Sequence, residues 1–251
     1  MKHSCLEIIG HAGAAGFHPY NSAESIQKAI DLGVDRIEID LLGTLDGDLL
    51  LIHDVSQTVE DREQLVEQLT TEQVRTNNPE VLTLANAYEL TSGKVPLLID
   101  VKGKQSTRAL IAALRRFDVG DNVSISSTHA RVLRELRHAF PHISLGLSRG
   151  HALTRIPSRK LKMLGGQTLS LPQIGQIIAL SKWCGATDVM VEHHLCTRLL
   201  VRSAHQTGFR VNAWTVDIPS DIERVQKSGV DGIISNRPDR VFAIVRPEIA
   251  F

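Results

Sequence analysis

Short apolar runs alternate with longer segments of helical spacing along most of the chain. The runs predict strands centred near these residues, in chain order: Ile8, Ile37, Leu50, Leu97, Val123, Ile143, Val189, Val211 and Gly232. The spacing between them predicts crossover helices, of which the clearest cover residues 106–117, 130–140, 198–207 and 220–227. The first helix is expected to be capped by Asn21 and to end near Gly33. Strands that alternate with helices are typical of a parallel sheet closed into a barrel.

The chain length is consistent with this barrel. A chain of 251 residues with 42% hydrophobic content can bury an ordinary core, and the length suits one (β/α)8 barrel of about 250 residues. We therefore expect a single domain over residues 1–251, an α/β (β/α)8 TIM barrel. The strand near Leu50 and the polar residues after it interrupt the alternation. Residues 46–80 are accordingly interpreted as a small insertion after the second barrel strand.

Polar side chains with acid–base chemistry lie where the first predicted strands end. His11 follows the apolar run at Ile8, and His53 follows the run that ends at residue 52. Glu38 and Asp40 are two residues apart, so on a strand they face the same side. Two neighbouring carboxylates repel each other unless a cation lies between them. These residues indicate the first part of a metal-dependent site.

Related motifs continue to the end of the chain. In order, they are His11 at a strand end, Pro19-Tyr20-Asn21-Ser22 opening a helix, Glu38-Ile39-Asp40, Thr44-Leu45-Asp46-Gly47, His53-Asp54, Leu97-Leu98-Ile99-Asp100-Val101-Lys102, Val211-Asn212-Ala213-Trp214-Thr215-Val216-Asp217 and Gly229-Val230-Asp231-Gly232-Ile233-Ile234-Ser235-Asn236-Arg237-Pro238. This ordered set resembles the glycerophosphodiester phosphodiesterase family over nearly the whole length. The resemblance implies a metal-dependent hydrolase that converts a glycerophosphodiester to sn-glycerol 3-phosphate and an alcohol.

The carboxylates and histidines can divide this chemistry between them. Because the carboxyl ends of barrel strands form one face, these side chains are expected to converge there. Glu38, Asp40 and Asp100 offer three hard oxygen ligands, which suit one divalent cation, Mg²⁺ or Ca²⁺. His11 and His53 can serve as a general acid and general base, since imidazole titrates near neutrality. Which histidine has which role is left open, as is the choice between direct attack by water and attack by a glycerol hydroxyl.

Two further residues are candidates for substrate binding. Lys102 follows Asp100 by two positions and offers a positive charge to a phosphate, and Trp214 can form an apolar wall for glycerol. Structural roles for both residues, as an ion-pair partner and as barrel packing, are the alternatives. Other polar residues follow later predicted strands and are expected to lie in loops: His129, Arg149, Glu192, His193 and His194. One of them could replace an arginine that the family has and this chain lacks.

The chain departs from the family pattern at active-site positions. Ala12 stands where the family usually has Arg, Tyr20 where it has Glu, and Asp100 where it has Glu. Thr128 and His129 stand where an aromatic residue is usual. Two rival hypotheses follow: a phosphate-ligand-binding barrel with weak or no turnover, and a phosphodiesterase for another substrate such as a lysophospholipid.

The composition of the chain bears on which binding partners and which cellular compartment to expect. Lys plus Arg equals Asp plus Glu at 28 each, so no overall field favours nucleic acid or an anionic membrane. The first residues contain no apolar run of signal-peptide length, and no stretch is long enough for stable membrane insertion. The three cysteines have no metal-type spacing, which favours a reducing compartment. We therefore expect a cytoplasmic protein with a small-molecule glycerophosphodiester substrate; headgroup preference and oligomeric state stay open.

Overall fold

Strands and helices alternate through the residues that the computed structural model describes, 6–59, 61–104, 106–117, 122–150 and 169–248. The strands in these ranges are β1 (Glu7–Gly10), β2 (Arg36–Gly43), β3 (Leu49–Leu50), β4 (Ser56–Val59), β5 (Arg62–Leu65), β6 (Leu97–Val101), β7 (Val123–Ser127), β8 (Ser144–Arg149), β9 (Asp188–Glu192), β10 (Arg210–Trp214) and β11 (Gly232–Ser235). The helices are α1 (Ala23–Asp31), α2 (Thr71–Asn77), α3 (Leu84–Thr91), α4 (Ser106–Leu114), α5 (Ala130–Ala139), α6 (Leu171–Cys184), α7 (Arg198–Gln206), α8 (Pro219–Ser228) and α9 (Pro238–Val245). No helix in these ranges has both the length and the apolar surface that crossing a lipid bilayer requires.

β1, β2 and β6 to β11 form a closed barrel of eight parallel strands. Each strand pairs with the next in this series, and β1 pairs with both β2 and β11, which closes the ring. Parallel neighbours require a crossover connection, and helices occupy these connections. The (β/α)8 barrel predicted from the alternation of strands and helices is confirmed.

Apolar side chains pack on both sides of the barrel wall, since neighbouring residues on a strand face opposite ways. The larger cluster fills the layer between the strands and the surrounding helices. Inside the barrel, a smaller cluster contains Ile9, Leu98, Met190 and Ile234, and Trp214 packs against it. This inner cluster forms an apolar floor below the carboxyl ends of the strands.

Charged side chains close the opposite, amino end of the barrel. Glu7 accepts hydrogen bonds from Arg36 and Arg210, each at 2.8 Å. Asn212 donates to Asp188 at 3.1 Å in the same region. The mostly buried charge of Glu7 is thus compensated by two arginines at this end of the barrel.

Residues 46–80 contain a hairpin and a short helix between β2 and α3. β3 pairs antiparallel with the end of β2, and β4 pairs antiparallel with β5. A 3₁₀ helix at Val66–Gln68 follows, and Thr70 and Gln73 form a capping box at the start of α2. Buried Val66 and Val74 belong to a small apolar cluster that joins this segment to the end of β2.

Several local predictions are wrong in detail. The strand near Leu50 has only two residues, so His53 lies in a loop rather than at a strand end. Ser22 rather than Asn21 caps α1, because the side chain of Asn21 binds a buried carboxylate instead. The helix predicted over residues 106–117 ends at residue 114.

Candidate active site

A cavity of about 180 Å³ opens at the carboxyl ends of the barrel strands. Its lining includes six of the seven residues singled out in the sequence, namely His11, Glu38, His53, Asp100, Lys102 and Trp214. Asp40, the seventh, has no exposed surface and contacts Lys102. Barrel closure thus brings together side chains that are far apart in the sequence.

Three carboxylates form a compact cluster on one side of this cavity. β2 supplies Glu38 and Asp40, and Asp100 lies beside Asp40 on the neighbouring strand β6. One oxygen from each carboxylate lies within 4.8 Å of the others. Ligand oxygens of one Mg²⁺ or Ca²⁺ ion are about 2.0–2.6 Å from the ion, so two of them are at most about 5 Å apart. The donor atoms and their spacing therefore fit one such ion.

Burial and mutual repulsion govern the protonation of this cluster. Glu38 and Asp40 are 4% and 0% exposed. Burial, and after it the charge of Asp40, raises the pKa of Glu38 well above its ordinary value. Burial also opposes the ionisation of Asp40, but the positive charge of Lys102, with help from His11, leaves the pKa of Asp40 below its ordinary value. The cluster thus needs positive charge nearby if all its carboxylates are to be ionised.

Lys102 supplies such a charge. Its Nζ lies 2.7 Å from Oδ1 of Asp40 and 2.5 Å from Oδ2 of Asp100. Burial disfavours the ammonium form, but Asp100 and Asp40 together raise the pKa of Lys102 above its ordinary value. The side chain is 23% exposed and lines the cavity, so the same group can also meet a ligand there.

Two polar residues that the sequence interpretation missed hold the other oxygens of these aspartates. Asn21 donates from Nδ2 to Oδ2 of Asp40 at 2.9 Å and accepts from the Asp40 main-chain N–H at 3.0 Å. Ser126 donates to Oδ1 of Asp100 at 2.7 Å. Ser126 is paired beside Asp100 in the sheet, so its place near the end of a predicted strand was the available signal.

The loop after β1 presents its main chain to Glu38. Ala12 is buried and has a φ of 45°, and its N–H donates to Oε2 of Glu38 at 2.9 Å. Gly13 follows with a φ of 85°, and a β-carbon there would lie 2.5 Å from the main-chain carbon of Ser25 in α1. Only glycine fits so close to the helix. Since the contact to Glu38 comes from the main chain of residue 12, it does not depend on the arginine that this chain lacks.

A chain of hydrogen bonds fixes the orientation and tautomer of His11. Asn236 donates from Nδ2 to Oδ2 of Asp217 at 2.7 Å, which turns its amide oxygen toward His11. That oxygen lies 2.8 Å from Nδ1 of His11. An amide oxygen can only accept, so Nδ1 carries the proton and Nε2 of the neutral ring is unprotonated. Asn236 and Asp217 follow β11 and β10 within the quoted motifs, but the sequence interpretation gave neither a role.

His53 and Tyr20 lie at the exposed rim. The side chain of His53 is 57% exposed, and its Nδ1 lies 2.9 Å from Oδ1 of Asp54. Tyr20, 54% exposed, meets the ring of His11 edge-on with the centroids 5.8 Å apart. Tyrosine at this position thus contacts a predicted catalytic side chain without adding a charge to the site.

The residues considered as replacements for the missing arginine are engaged elsewhere. Arg149 donates to the main-chain oxygens of Thr128 and Ser148 at 2.9 and 3.0 Å. The ring of His129 lies 3.2 Å from the main-chain oxygen of Lys102. Glu192 ends β9, and His193 and His194 begin a short 3₁₀ helix, His193–Leu195; none of these residues is among the described residues that line the cavity. Among the lysines and arginines that the structure describes, Lys102 is therefore the one that lines the cavity.

Fold and site together define a class. A (β/α)8 barrel that gathers an acidic cluster, a lysine and two histidines around a cavity on the carboxyl-end face of its strands is an enzyme of the barrel class. The particular family follows from comparison with known proteins. A model of the glycerophosphoryl diester phosphodiesterase family matches residues 11–240, and the chain belongs to this family. It is thus a phosphoric diester hydrolase.

A relative agrees with this assignment, and solved structures share the fold. The chain is 28% identical over 259 residues to a glycerophosphodiester phosphodiesterase of Caldanaerobacter subterraneus subsp. tengcongensis, which covers 95% of this chain and 97% of the relative. Its fold matches a crystal structure of a putative glycerophosphoryl diester phosphodiesterase from Silicibacter pomeroyi with a TM-score of 0.80 and 24% identity. The match covers 98% of this chain and 95% of that one. The fold also matches a phosphodiesterase of Oleispira antarctica, solved with the product sn-glycerol-3-phosphate, with a TM-score of 0.76 and 18% identity. This match covers 96% of this chain and 97% of that one.

Proposed function

We propose that this hydrolase uses one divalent cation, Mg²⁺ or Ca²⁺, to cleave a glycerophosphodiester into sn-glycerol 3-phosphate and an alcohol. The observation that supports the proposal most is the cluster of three carboxylates beside one cavity of about 180 Å³, which a lysine and two histidines also line. This volume is of the order of a small phosphate ester. The named substrate and product come from the relatives, and the cation from the fit of the carboxylate cluster.

In the proposed mechanism, Glu38, Asp40 and Asp100 would hold the cation, which would neutralise charge on the phosphodiester. Lys102 adds a positive charge on the same side of the cavity. Such fixed charges favour a transition state in which negative charge develops on the phosphoryl oxygens. Trp214, together with the apolar floor, would form an apolar wall for the glycerol part of the substrate.

The two histidines take different proton-transfer roles. The hydrogen bond from Nδ1 to Asn236 leaves Nε2 of His11 ready to accept a proton from the attacking oxygen, so His11 is the general base. His53 lies at the exposed rim, where a leaving alcohol can depart to solvent, so it is the general acid. The hydrogen bond between His53 and Asp54 orients the ring for this transfer.

Turnover of glycerophosphocholine tests the proposal. With Mg²⁺ or Ca²⁺ present, the purified chain is expected to release sn-glycerol 3-phosphate, measured with a coupled dehydrogenase assay. His11→Ala should lower kcat by about 10²-fold or more, whereas His138→Ala, which changes an exposed histidine of α5, should leave it unchanged. Absence of product with either ion, or near-normal kcat in His11→Ala, would contradict the proposal.

Equilibrium dialysis and a wider substrate panel separate the two rival hypotheses, which stay predictions. A binding-only barrel would retain glycerol 3-phosphate in equilibrium dialysis but form no product from any phosphodiester in a panel. An enzyme for lysophospholipids would release product only when the substrate carries an acyl chain. We also propose a cytoplasmic location, supported by the free thiols of buried Cys184 and Cys196, and a fluorescent fusion in the source cell would test it.

A further inference from the structure

Lys102 contacts the oxygens that a cation would also need. Asp40 and Asp100 have four carboxylate oxygens between them. Asn21 holds one and Ser126 another, through hydrogen bonds of 2.9 and 2.7 Å. The remaining two, Oδ1 of Asp40 and Oδ2 of Asp100, lie 2.7 and 2.5 Å from Nζ of Lys102. The two aspartate oxygens that accept no hydrogen bond from Asn21 or Ser126 are thus the two that contact the ammonium group of Lys102.

A divalent cation held by one oxygen from each aspartate would meet the same two atoms. An ammonium group and a divalent ion are like charges, and a low-dielectric surrounding strengthens their repulsion. Each therefore lowers the affinity of the carboxylates for the other, and the effect is reciprocal. Lys102 has room to move away from the aspartates, because its side chain is 23% exposed and lines the cavity, where solvent or a ligand can contact the ammonium group.

We propose that Lys102 and the divalent cation compete for Asp40 and Asp100, so that cation binding turns the ammonium group from these carboxylates toward the phosphate of the substrate. The inference rests on the metal site of the proposed function. Lys102 is then the internal counter-ion of the cluster before the cation binds and a phosphate ligand afterwards. Cation binding prepares the substrate site as well as supplying charge.

Titration calorimetry of Mg²⁺ or Ca²⁺ tests the competition without any turnover. Lys102→Met should bind the ion more tightly than the wild-type protein, by roughly 5- to 150-fold if the coupling is of ordinary size. Lys94→Met removes the same charge from an exposed lysine, whose Nζ donates to the main-chain oxygen of Leu90, and should bind the ion as the wild type does. Lys102→Gln, a milder change, should show the same direction.

Thermal stability in chelator tests the counter-ion role separately. In Lys102→Met the buried Asp40 loses its ion-pair partner, so Tm should fall by on the order of 10 °C in chelator and should recover when excess Mg²⁺ or Ca²⁺ is added. Asp100→Asn in the Lys102→Met background removes one of the repelling charges and should restore part of the lost Tm in chelator. Lys94→Met should melt like the wild type throughout.

The outcomes distinguish the competition from the metal site itself. Equal ion affinity in Lys102→Met and wild type, or equal Tm of the two in chelator, overturns the competition while leaving the proposed metal site standing. Absence of ion binding to every variant overturns both. A Lys102→Met protein that folds only with the ion present would be the strongest form of the expected result.

Discussion

His11 is the residue whose chemical state is best defined by its surroundings. Asn236 has one orientation because only its amide nitrogen can donate to the carboxylate of Asp217. Asp217 also accepts from the hydroxyl of Ser235 and from the main-chain N–H of Asn236, at 2.9 and 2.8 Å. The carboxylate is therefore held in place by three hydrogen bonds, and the tautomer of His11 follows from it.

Replacing Asn236 by Leu should impair catalysis more than stability. Without the amide acceptor, the ring of His11 is no longer held with Nδ1 protonated, so kcat should fall by about 10- to 100-fold while KM changes less. Nitrogen NMR of the imidazole should show the Nδ1–H tautomer in the wild type and a mixture in the variant. Unchanged kcat together with an unchanged tautomer would show that Asn236 has only a packing role. Asn77→Leu, at an exposed site in α2, is the control.

The individual site residues were easier to predict from the sequence than the contacts between them. The seven candidate residues could be found because each stands at or near the end of an apolar run, where a barrel places its chemistry. Their partners could not, because Asn236 lies 225 positions from His11 and the contact exists only when the barrel closes. The contact of Lys102 with Asp40 was foreseen only as an alternative to phosphate binding, since sequence spacing does not say which neighbour a flexible lysine contacts.

At the scale of elements, the loop between β1 and α1 links the fold to the site. Gly13 lets this loop pass close to α1, and the same turn places the main chain of Ala12 against Glu38. Ala12 and Gly13, which are adjacent, thus position the start of the loop against both Glu38 and α1.

Gly13→Ala should destabilise the protein by about 2–4 kcal/mol, because alanine adds both left-handed backbone strain and a collision with the main chain of α1. Gly93→Ala is the matched control, since Gly93 also has a positive φ, 70°, but a β-carbon there would meet no atom within 4 Å. That change should cost only about 1–2 kcal/mol. Urea unfolding measures both, and equal losses in the two variants would show that the packing against α1 is not tight.

Element types were predictable where the apolar periodicity was long and regular, and the ends were not. The helices at residues 130–139 and 198–206 each end one residue before the predicted bound, because only local end signals fix a terminus. The β3 strand is shorter than its apolar run, because Leu51 and Ile52 are buried outside the ladder. Hydrophobicity there reports burial rather than strand pairing.

At the scale of the whole molecule, stability should depend on pH through His193, which lies outside the cavity. Burial, and after it the charge of His194, lowers the pKa of His193 to about 4. In the unfolded chain the ordinary value is 6.5, so between these values the unfolded state binds more protons than the folded state. Stability should therefore fall as pH decreases from about 6.5 to about 4, by up to about 3 kcal/mol.

His193→Asn should remove this part of the pH dependence, and His138→Asn, at an exposed position of α5, should leave it in place. The measurement is the free energy of unfolding in urea at a series of pH values. An unchanged slope in His193→Asn between pH 4 and 6.5 would assign the acid sensitivity to other groups.

We propose that the carboxylate cluster and the two histidines work as one cation-dependent site. Phosphorus NMR of glycerophosphocholine turnover, before and after chelation and after return of Mg²⁺ or Ca²⁺, tests this most directly. We expect formation of sn-glycerol 3-phosphate to stop in chelator and to resume with the ion in the wild type, but not in Asp40→Asn, which removes the charge of the most buried of the three carboxylates. Turnover that continues in chelator, or that Asp40→Asn retains, would contradict the account.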